Sequence, residues 1–287
     1  MVRLNIRHRT TYHYNRNVSL RPHRLMLRPR ESRELRLLGM EIIVNPDAVL
    51  TWAQDVAGNS VASLTFRSMT NQLVIESIAD IELDAVVWPV FDISASAIFY
   101  PFHYTDDDQA DLGLLASPRL ADAAGKLRAW VSAFVRTDPT DTLALLKDIN
   151  FGILSWISYQ ERDDEGTQSP VETLERGWGA CRDLALLFVE AVRTLGFGAR
   201  IVSGYLHNPS QEIKGSAGAG TTHAWAEVYL PGAGWITFDP TNRSMGGANL
   251  IPVAVGRDIR QVMPVIGEFI GLSDAFSHMT VEVCVIG

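Results

Sequence analysis

The sequence predicts an α+β protein: a β-sandwich-like all-β domain over residues 1–104, followed by helices packed on an antiparallel sheet. Three observations predict it. Residues 1–100 carry short runs alternating apolar and polar side chains, the period of half-buried strands. From residue 117 the apolar spacing becomes that of helices. From residue 200 strand runs return, and helices first with antiparallel strands after them define an α+β domain.

The first strand runs are Leu4–Tyr14, Leu38–Val44, Ser60–Phe66 and Leu73–Leu83, separated by turn chemistry such as Asn45-Pro46-Asp47 and Gly58-Asn59. In the first run Arg3, Arg7 and Arg9 hold odd positions and Leu4, Ile6, Tyr12 and Tyr14 even ones, a charged outer face over a buried one. Residues 105–118 read as a linker opened by the acidic, aperiodic Thr105-Asp106-Asp107-Asp108-Gln109. These carboxylates lack the alternating spacing and glycine of a calcium loop and read as a solvated turn. Residues 119–287 form the second domain. Ser117 and Pro118 supply an N-cap and a first helical position, and Leu120, Ala124, Leu127, Val131 and Phe134 follow at helical spacing. A second helix covers Thr142–Trp156. Ser169-Pro170-Val171-Glu172 is a capping box opening a short helix that stops near Gly177. Leu184, Leu187, Phe188, Ala191, Val192 and Leu195 form the stripe of a long helix ended by Gly196. Strands follow at Arg200–Tyr205, His223–Leu230, Trp235–Asp239 and Met279–Ile286.

The 287 residues carry a net charge of −8, with 47% hydrophobic and 20% charged side chains, as in an ordinary globular protein. No apolar run reaches the ~18 residues of a membrane span, and the first residues lack the apolar stretch of a secretory signal. The expected location is cytoplasmic. Residues 1–36 hold ten Arg against two Glu, a net +8 that leaves −16 for the rest. Because those Arg fall on the outer face of strands, nucleic-acid binding is not expected. Two cysteines, Cys181 and Cys284, exclude a disulfide scaffold and a Cys-rich zinc module. No metal or cofactor is expected: there is no His-Glu-x-x-His, Walker A, Rossmann glycine run or Gly-x-Ser-x-Gly elbow.

Cys181 sits in Gly177-Trp178-Gly179-Ala180-Cys181-Arg182-Asp183, at the start of the long helix. Unpaired N–H groups and partial positive charge at a helix N-terminus favour a thiolate. Cys284, inside the apolar alternation of Val281–Ile286, reads instead as a buried structural cysteine. His223 opens a strand whose odd positions (His223, Trp225, Glu227, Tyr229) face a groove and whose even positions are Ala224, Ala226, Val228 and Leu230. Pro231-Gly232-Ala233-Gly234 turns the chain into Trp235–Asp239. His223 and Asp239 share a face only if the hairpin partners have an even index sum. Tyr229 opposite Trp235 satisfies this; Leu230 opposite Trp235 would send Asp239 to the core. In the even register imidazole takes the thiol proton and later protonates the leaving amine, while Asp239 orients the ring.

Gly179-Ala180-Cys181-Arg182-Asp183-Leu184-Ala185, then Gly196-Phe197-Gly198-Ala199-Arg200 and Ser203-Gly204-Tyr205, resemble the core of the bacterial transglutaminase-like superfamily. His223-Ala224-Trp225-Ala226-Glu227-Val228-Tyr229 and Trp235 to Asp239-Pro240-Thr241-Asn242 continue the resemblance in order. The segment from Val255-Gly256-Arg257-Asp258 through Pro264, Val265 and Gly267 is similar to its C-terminal stretch, and the Arg/Tyr-rich first strands to the β domain of bacterial members. The resemblance implies a papain-like fold with a Cys-His-Asp triad on Cys181, His223 and Asp239, in a family of transglutaminases, peptidases, amidases and some non-catalytic members. The Cys181 N–H and the Trp178 indole are the candidate oxyanion donors, and Trp178 and Trp225 the candidate groove residues. Arg182 stands where the animal crosslinking enzymes carry Trp, which weakens an inference of crosslinking.

The leading expectation is a thiol hydrolase cleaving an amide, peptide or isopeptide bond in a peptide, protein or small amide. Amine transfer from the same acyl-enzyme is second, and a peptide-binding module with a vestigial triad third. The acidic body favours basic or neutral substrates. Oligomeric state is not legible.

Overall fold

The computed structural model describes residues 1–162, 166–208 and 220–287. Six strands open the chain: β1 (Val2–Leu20), β2 (His23–Leu25), β3 (Leu35–Asn45), β4 (Ala48–Gln54), β5 (Ser60–Phe66) and β6 (Met69–Leu83). After them come β7 (Phe99–Tyr100), α1 (Asp106–Leu112), α2 (Lys126–Ser132), β8 (Thr140–Asp141), α3 (Thr142–Trp156), β9 (Ser158–Tyr159), α4 (Pro170–Arg176), β10 (Trp178–Gly179) and α5 (Cys181–Thr194). The remaining strands are β11 (Ala199–His207), β12 (Gly220–Leu230), β13 (Gly234–Asp239), β14 (Ser244–Met245), β15 (Leu250–Gly256), β16 (Val265–Ile266), β17 (Phe269–Ile270) and β18 (Phe276–Ile286).

Two sheets face each other in the first region. One runs β17-β1-β6-β3 with β18 also on β1, the other β16-β2-β5-β4. Tyr14, Val18, Leu25, Leu64, Leu73 and Ile75 fill the space between them. Leu4 and Ile6 are buried and Arg3 and Arg7 are exposed, as their alternation predicts. The sequence reading assigned residues 265–287 to the second domain, but β16, β17 and β18 pair with β2 and β1 of the first. Their period-2 pattern identifies strands without naming the partner, and the open edges of β1 and β2 take them up. Besides this core, the first region shares a second one with the helices. Leu4, Ile6, Ile81 and Leu83 share one apolar cluster with Leu184, Leu187 and Phe188 of α5.

The expected linker is α1. Thr105 caps it by accepting the Asp108 N–H at 3.1 Å, and Asp106, Asp107 and Asp108 fill its positively polarised first turn. The helix expected from Ser117 begins only at Lys126. The Arg119 and Leu120 N–H groups instead donate to buried Glu190 Oε2 at 2.8 and 3.0 Å, and Gly125 precedes α2 at φ 67°. Helix α3 has its expected bounds, and α4 has its Ser169–Glu172 capping box and the left-handed stop Gly177.

The central sheet runs β14-β13-β12-β11-β15, with no strand from the first hundred residues. Helix α5 packs on it through Phe188, Leu184 and Leu187 against Ala226, Val228 and Phe238. At their far ends, the Tyr229 N–H donates to Gly198 O just after α5. Thirteen helical steps at ~1.5 Å and six strand steps at ~3.3 Å both come to about 20 Å, so the start of α5 lies level with His223. No helix among the described residues is long and apolar enough to cross a membrane.

Candidate active site

Cys181 is the first residue of α5 and is partly exposed. The approach to it is fixed by short-range hydrogen bonds. Strand β10 pairs in parallel with β9, placing Gly179 beside Tyr159. A Cβ at Gly179 would sit 2.9 Å from Asp183 Cβ, so only glycine passes without a shift. Asp183, fully buried in the first turn of α5, accepts the Ala180 N–H at 2.9 Å and the Gln168 N–H at 2.8 Å. The Arg162 guanidinium, its side chain 9% exposed, pairs with the same carboxylate at 3.0 Å. One buried charge thus ties together the turn into Cys181, the lead into α4 and the chain after β9. Arg182 adds to this clamp by donating to Gly166 O at 2.7 Å and Arg162 O at 2.9 Å.

The β12–β13 hairpin takes the even register: Tyr229 opposes Trp235 and Ala226 opposes Phe238. Leu230 also pairs with Gly234, one pair more than expected, leaving Pro231–Ala233 as the loop. In this register His223 Nε2 lies 2.8 Å from Asp239 Oδ2. Four contacts hold the Asp239 carboxylate: His223, the Thr241 N–H (3.0 Å), the Asn242 N–H (3.2 Å) and Asn242 Nδ2 (2.7 Å). The His223 side chain is 5% exposed and that of Asp239 1%. Burial disfavours the imidazolium, but the hydrogen bonds to Asp239 and to Cys181, with the charges of both, outweigh it and raise the His223 pKa to about 10. The ring is therefore protonated at neutral pH. Because Nε2 is engaged by Asp239, Nδ1 is the nitrogen left for the Cys181 sulfur.

Of the two tryptophans, Trp225 differs from expectation in place. Trp225 is 1% exposed, stacked on the His223 ring at 5.9 Å and packed with Val202, Leu250 and Val255. It lies against the imidazole and is not an open groove wall, because it packs among side chains of β11 and β15 in the same sheet. Trp178 is half-buried, with the Arg176 guanidinium 5.5 Å from its ring centroid. Cys284 is also placed differently: it is partly exposed opposite Arg7 on β1, its face not covered by the core. Asp183 was visible in the motif but carried no role, since its partner Arg162 lies in an aperiodic stretch. Tyr159 was missed: burial first, then the neighbouring charge of Cys181, raises its phenol pKa, which marks it as a neighbour of the sulfur. Among the described residues no three His, Cys, Asp or Glu side chains cluster as a metal site.

Residues 4–82 match the family model of the bacterial transglutaminase-like N-terminal region, and residues 128–240 that of the transglutaminase-like superfamily. The chain belongs to the transglutaminase-like superfamily and carries its bacterial N-terminal region. A solved structure of a candidate cysteine protease from Cytophaga hutchinsonii matches 100% of this chain and 92% of its own, with a TM-score of 0.74 and 19% identity. It shares the fold, a papain-like core behind the N-terminal domain. An uncharacterised protein of Mycobacterium tuberculosis is 27% identical over 282 residues, 92% of this chain and 87% of its own length. One from Mycobacterium leprae is 34% identical over 115 residues, 40% of either chain. The chain thus spans two fifths of that relative's length in the match.

Proposed function

We propose that the protein is a thiol hydrolase that cleaves an amide, peptide or isopeptide bond through an acyl-enzyme on Cys181. The observation that carries this reading is the buried His223–Asp239 hydrogen bond, with the Cys181 thiol close enough to the same ring to help raise its pKa. The Cys181 sulfur attacks the substrate carbonyl and its π-electron pair moves to oxygen. The oxyanion collapses and the C–N bond breaks, while the His223 imidazolium gives its proton to the leaving amine. Water then attacks the thioester, the neutral imidazole takes and keeps its proton, and the acid leaves as the C–S bond breaks with its electron pair on sulfur, which restores the starting state. Asp239 keeps the ring oriented and stabilises its charge in both halves. The family membership and the shared fold support this chemistry without choosing the acceptor.

Substrates of this reading are a peptide, a protein or a small amide. The test is adduct trapping: wild-type protein and Cys181→Ala are incubated with lysate, quenched in acid and digested. Mass spectrometry should find an acyl group on the Cys181 peptide of the wild type. An acyl-enzyme that added methylamine turns over faster than with water alone would make amine transfer the reaction. Absence of any acyl adduct, with Cys181 alkylated no faster than a free thiol, would leave a binding module.

A further inference from the structure

Asn150 is 0% exposed on the inner face of α3, a face otherwise built from Leu145, Leu146, Ile149 and Ile153. Its Nδ2 donates to Ser244 O at 3.0 Å, while its Oδ1 has no hydrogen-bond partner. An acceptor buried without a partner costs folding free energy that a leucine of similar volume would not, so an amide at this place calls for a role. What its other end holds supplies one. Ser244 is the residue paired with Asp239 where β13 turns into β14. The turn between them, residues 240–243, carries the Thr241 and Asn242 N–H groups that donate to Asp239 Oδ1 and the Asn242 amide that donates to Oδ2. Arg243, next to Ser244, has φ 49°, and among the described residues it is the one non-glycine residue with positive φ. A side-chain-bearing residue keeps that conformation only where its surroundings hold it.

Asn150 reaches this turn from outside the hairpin, and its helix also reaches the sulfur side. Just past the end of α3, the Ser158 N–H donates to Gly177 O at 2.8 Å and the Gln160 N–H to Gly179 O at 3.0 Å, on the stretch that leads into Cys181. Six helical steps from Asn150 to Trp156 span about 9 Å. One short rod is therefore fastened to the Asp239 turn at its middle and to the approach to Cys181 at its end. We propose that Asn150 is a positioning residue of the active site: its hold on Ser244 O fixes the 240–243 turn, and the turn keeps the Asp239 carboxylate aimed at His223. The proposal rests on the acyl-enzyme reading above and deepens it.

The His223 ring reports that aim, because the groups that raise its pKa to about 10 are Asp239 and Cys181. In the full chain with isotope-labelled histidine, the His223 signal is identified by its absence in His223→Gln and followed against pH. Asn150→Leu keeps the volume and removes the donor. The wild-type ring should titrate near pH 10, and the Asn150→Leu ring at least one pH unit lower, about tenfold less imidazolium relative to imidazole. The alkaline limb of p-nitrophenyl acetate turnover should move down with it. In that reaction sulfur bonds the carbonyl carbon, p-nitrophenolate leaves, and water releases acetate from acetyl-Cys181. A residue that only packs α3 would change the urea midpoint and leave the ring titration in place, and that result overturns the proposal. So does an Asn150→Leu protein that matches wild type in titration, turnover and urea midpoint. If Asn150→Leu does not fold, Asn150→Ala also removes the donor and is decided by the same titration. Wild-type protein that never acetylates Cys181 would remove the hydrolase reading, while the ring titration still decides whether Asn150 orients Asp239.

Discussion

Replacing Asp239 by Asn tests the arrangement at its most constrained point. The carboxylate accepts from the Thr241 and Asn242 N–H groups on Oδ1 and faces His223 and Asn242 Nδ2 with Oδ2. An amide supplies one oxygen for these two sides. If that oxygen keeps the backbone bonds, its NH₂ turns to His223 Nε2 and opposes protonation there. If it turns to His223, two N–H donors lose their acceptor. Either way the negative charge that helps hold His223 near a pKa of about 10 is gone. A fall to the ordinary value of about 6.5 would cut the imidazolium fraction at pH 8 from ~0.99 to ~0.03, about 30-fold. Burial pulls in the same direction, and the Cys181 contact that remains pulls against it. The assay is the pH dependence of p-nitrophenyl acetate turnover. The alkaline limb should lie near pH 10 in the wild type and at or below pH 7 in Asp239→Asn. The sign also fixes stability: the contribution from a raised His223 is fully present below pH 6.5 and is lost as pH rises toward 10. An alkaline limb unmoved by Asp239→Asn would refute the reasoning and make Asn242, 3.4 Å from the same ring nitrogen, the next residue to change.

Three further outcomes are expected. Both cysteines are partly exposed, but only Cys181 hydrogen-bonds His223, so time-resolved iodoacetamide labelling should modify Cys181 first, and Cys181→Ala should abolish turnover where Cys284→Ser does not. Asp183→Asn strips the charge from the buried Arg162 pair and should cost about 3–5 kcal/mol in urea unfolding, whereas Asp183→Glu should cost less if charge and not shape dominates. His8, 1% exposed between Tyr205 and Thr10, has its pKa lowered by burial to about 4. The folded state therefore refuses a proton that the unfolded chain accepts, and stability should fall by about 3 kcal/mol as pH drops from 6.5 to 4, a slope that His8→Gln should flatten.

Elements governed by nearby residues were legible in the sequence. The capping box of α4 and the bounds of α3 depend on contacts within a turn, and the hairpin register follows once His223 and Asp239 are required on one face. Elements decided by distant partners were not. Strand β4 is exposed along most of its length and β15 is buried along most of its length, so neither alternates. The Ser117 cap lost to Glu190, whose acceptor oxygen reaches Arg119 and Leu120 from α5. The Cys181, His223 and Asp239 positions could be named because their residue types and parity are local facts. What surrounds them could not: the side chains packed against Trp225 come from β11 and β15, and the charge facing Asp183 comes from Arg162.

The pairing of β18 with β1 sets an order in time. During synthesis Arg7 leaves the ribosome long before its cross-strand partner Cys284 exists. Strand β6 can close one side of β1 early, while the side from Asn5 to Tyr14 waits for the end of the chain to arrive. Throughout that interval a long row of unpaired N–H and C=O groups is open to any other nascent strand. Strand β6 also brings Glu76 to Arg7, so the charged face of β1 is satisfied early and only its backbone edge waits for β18.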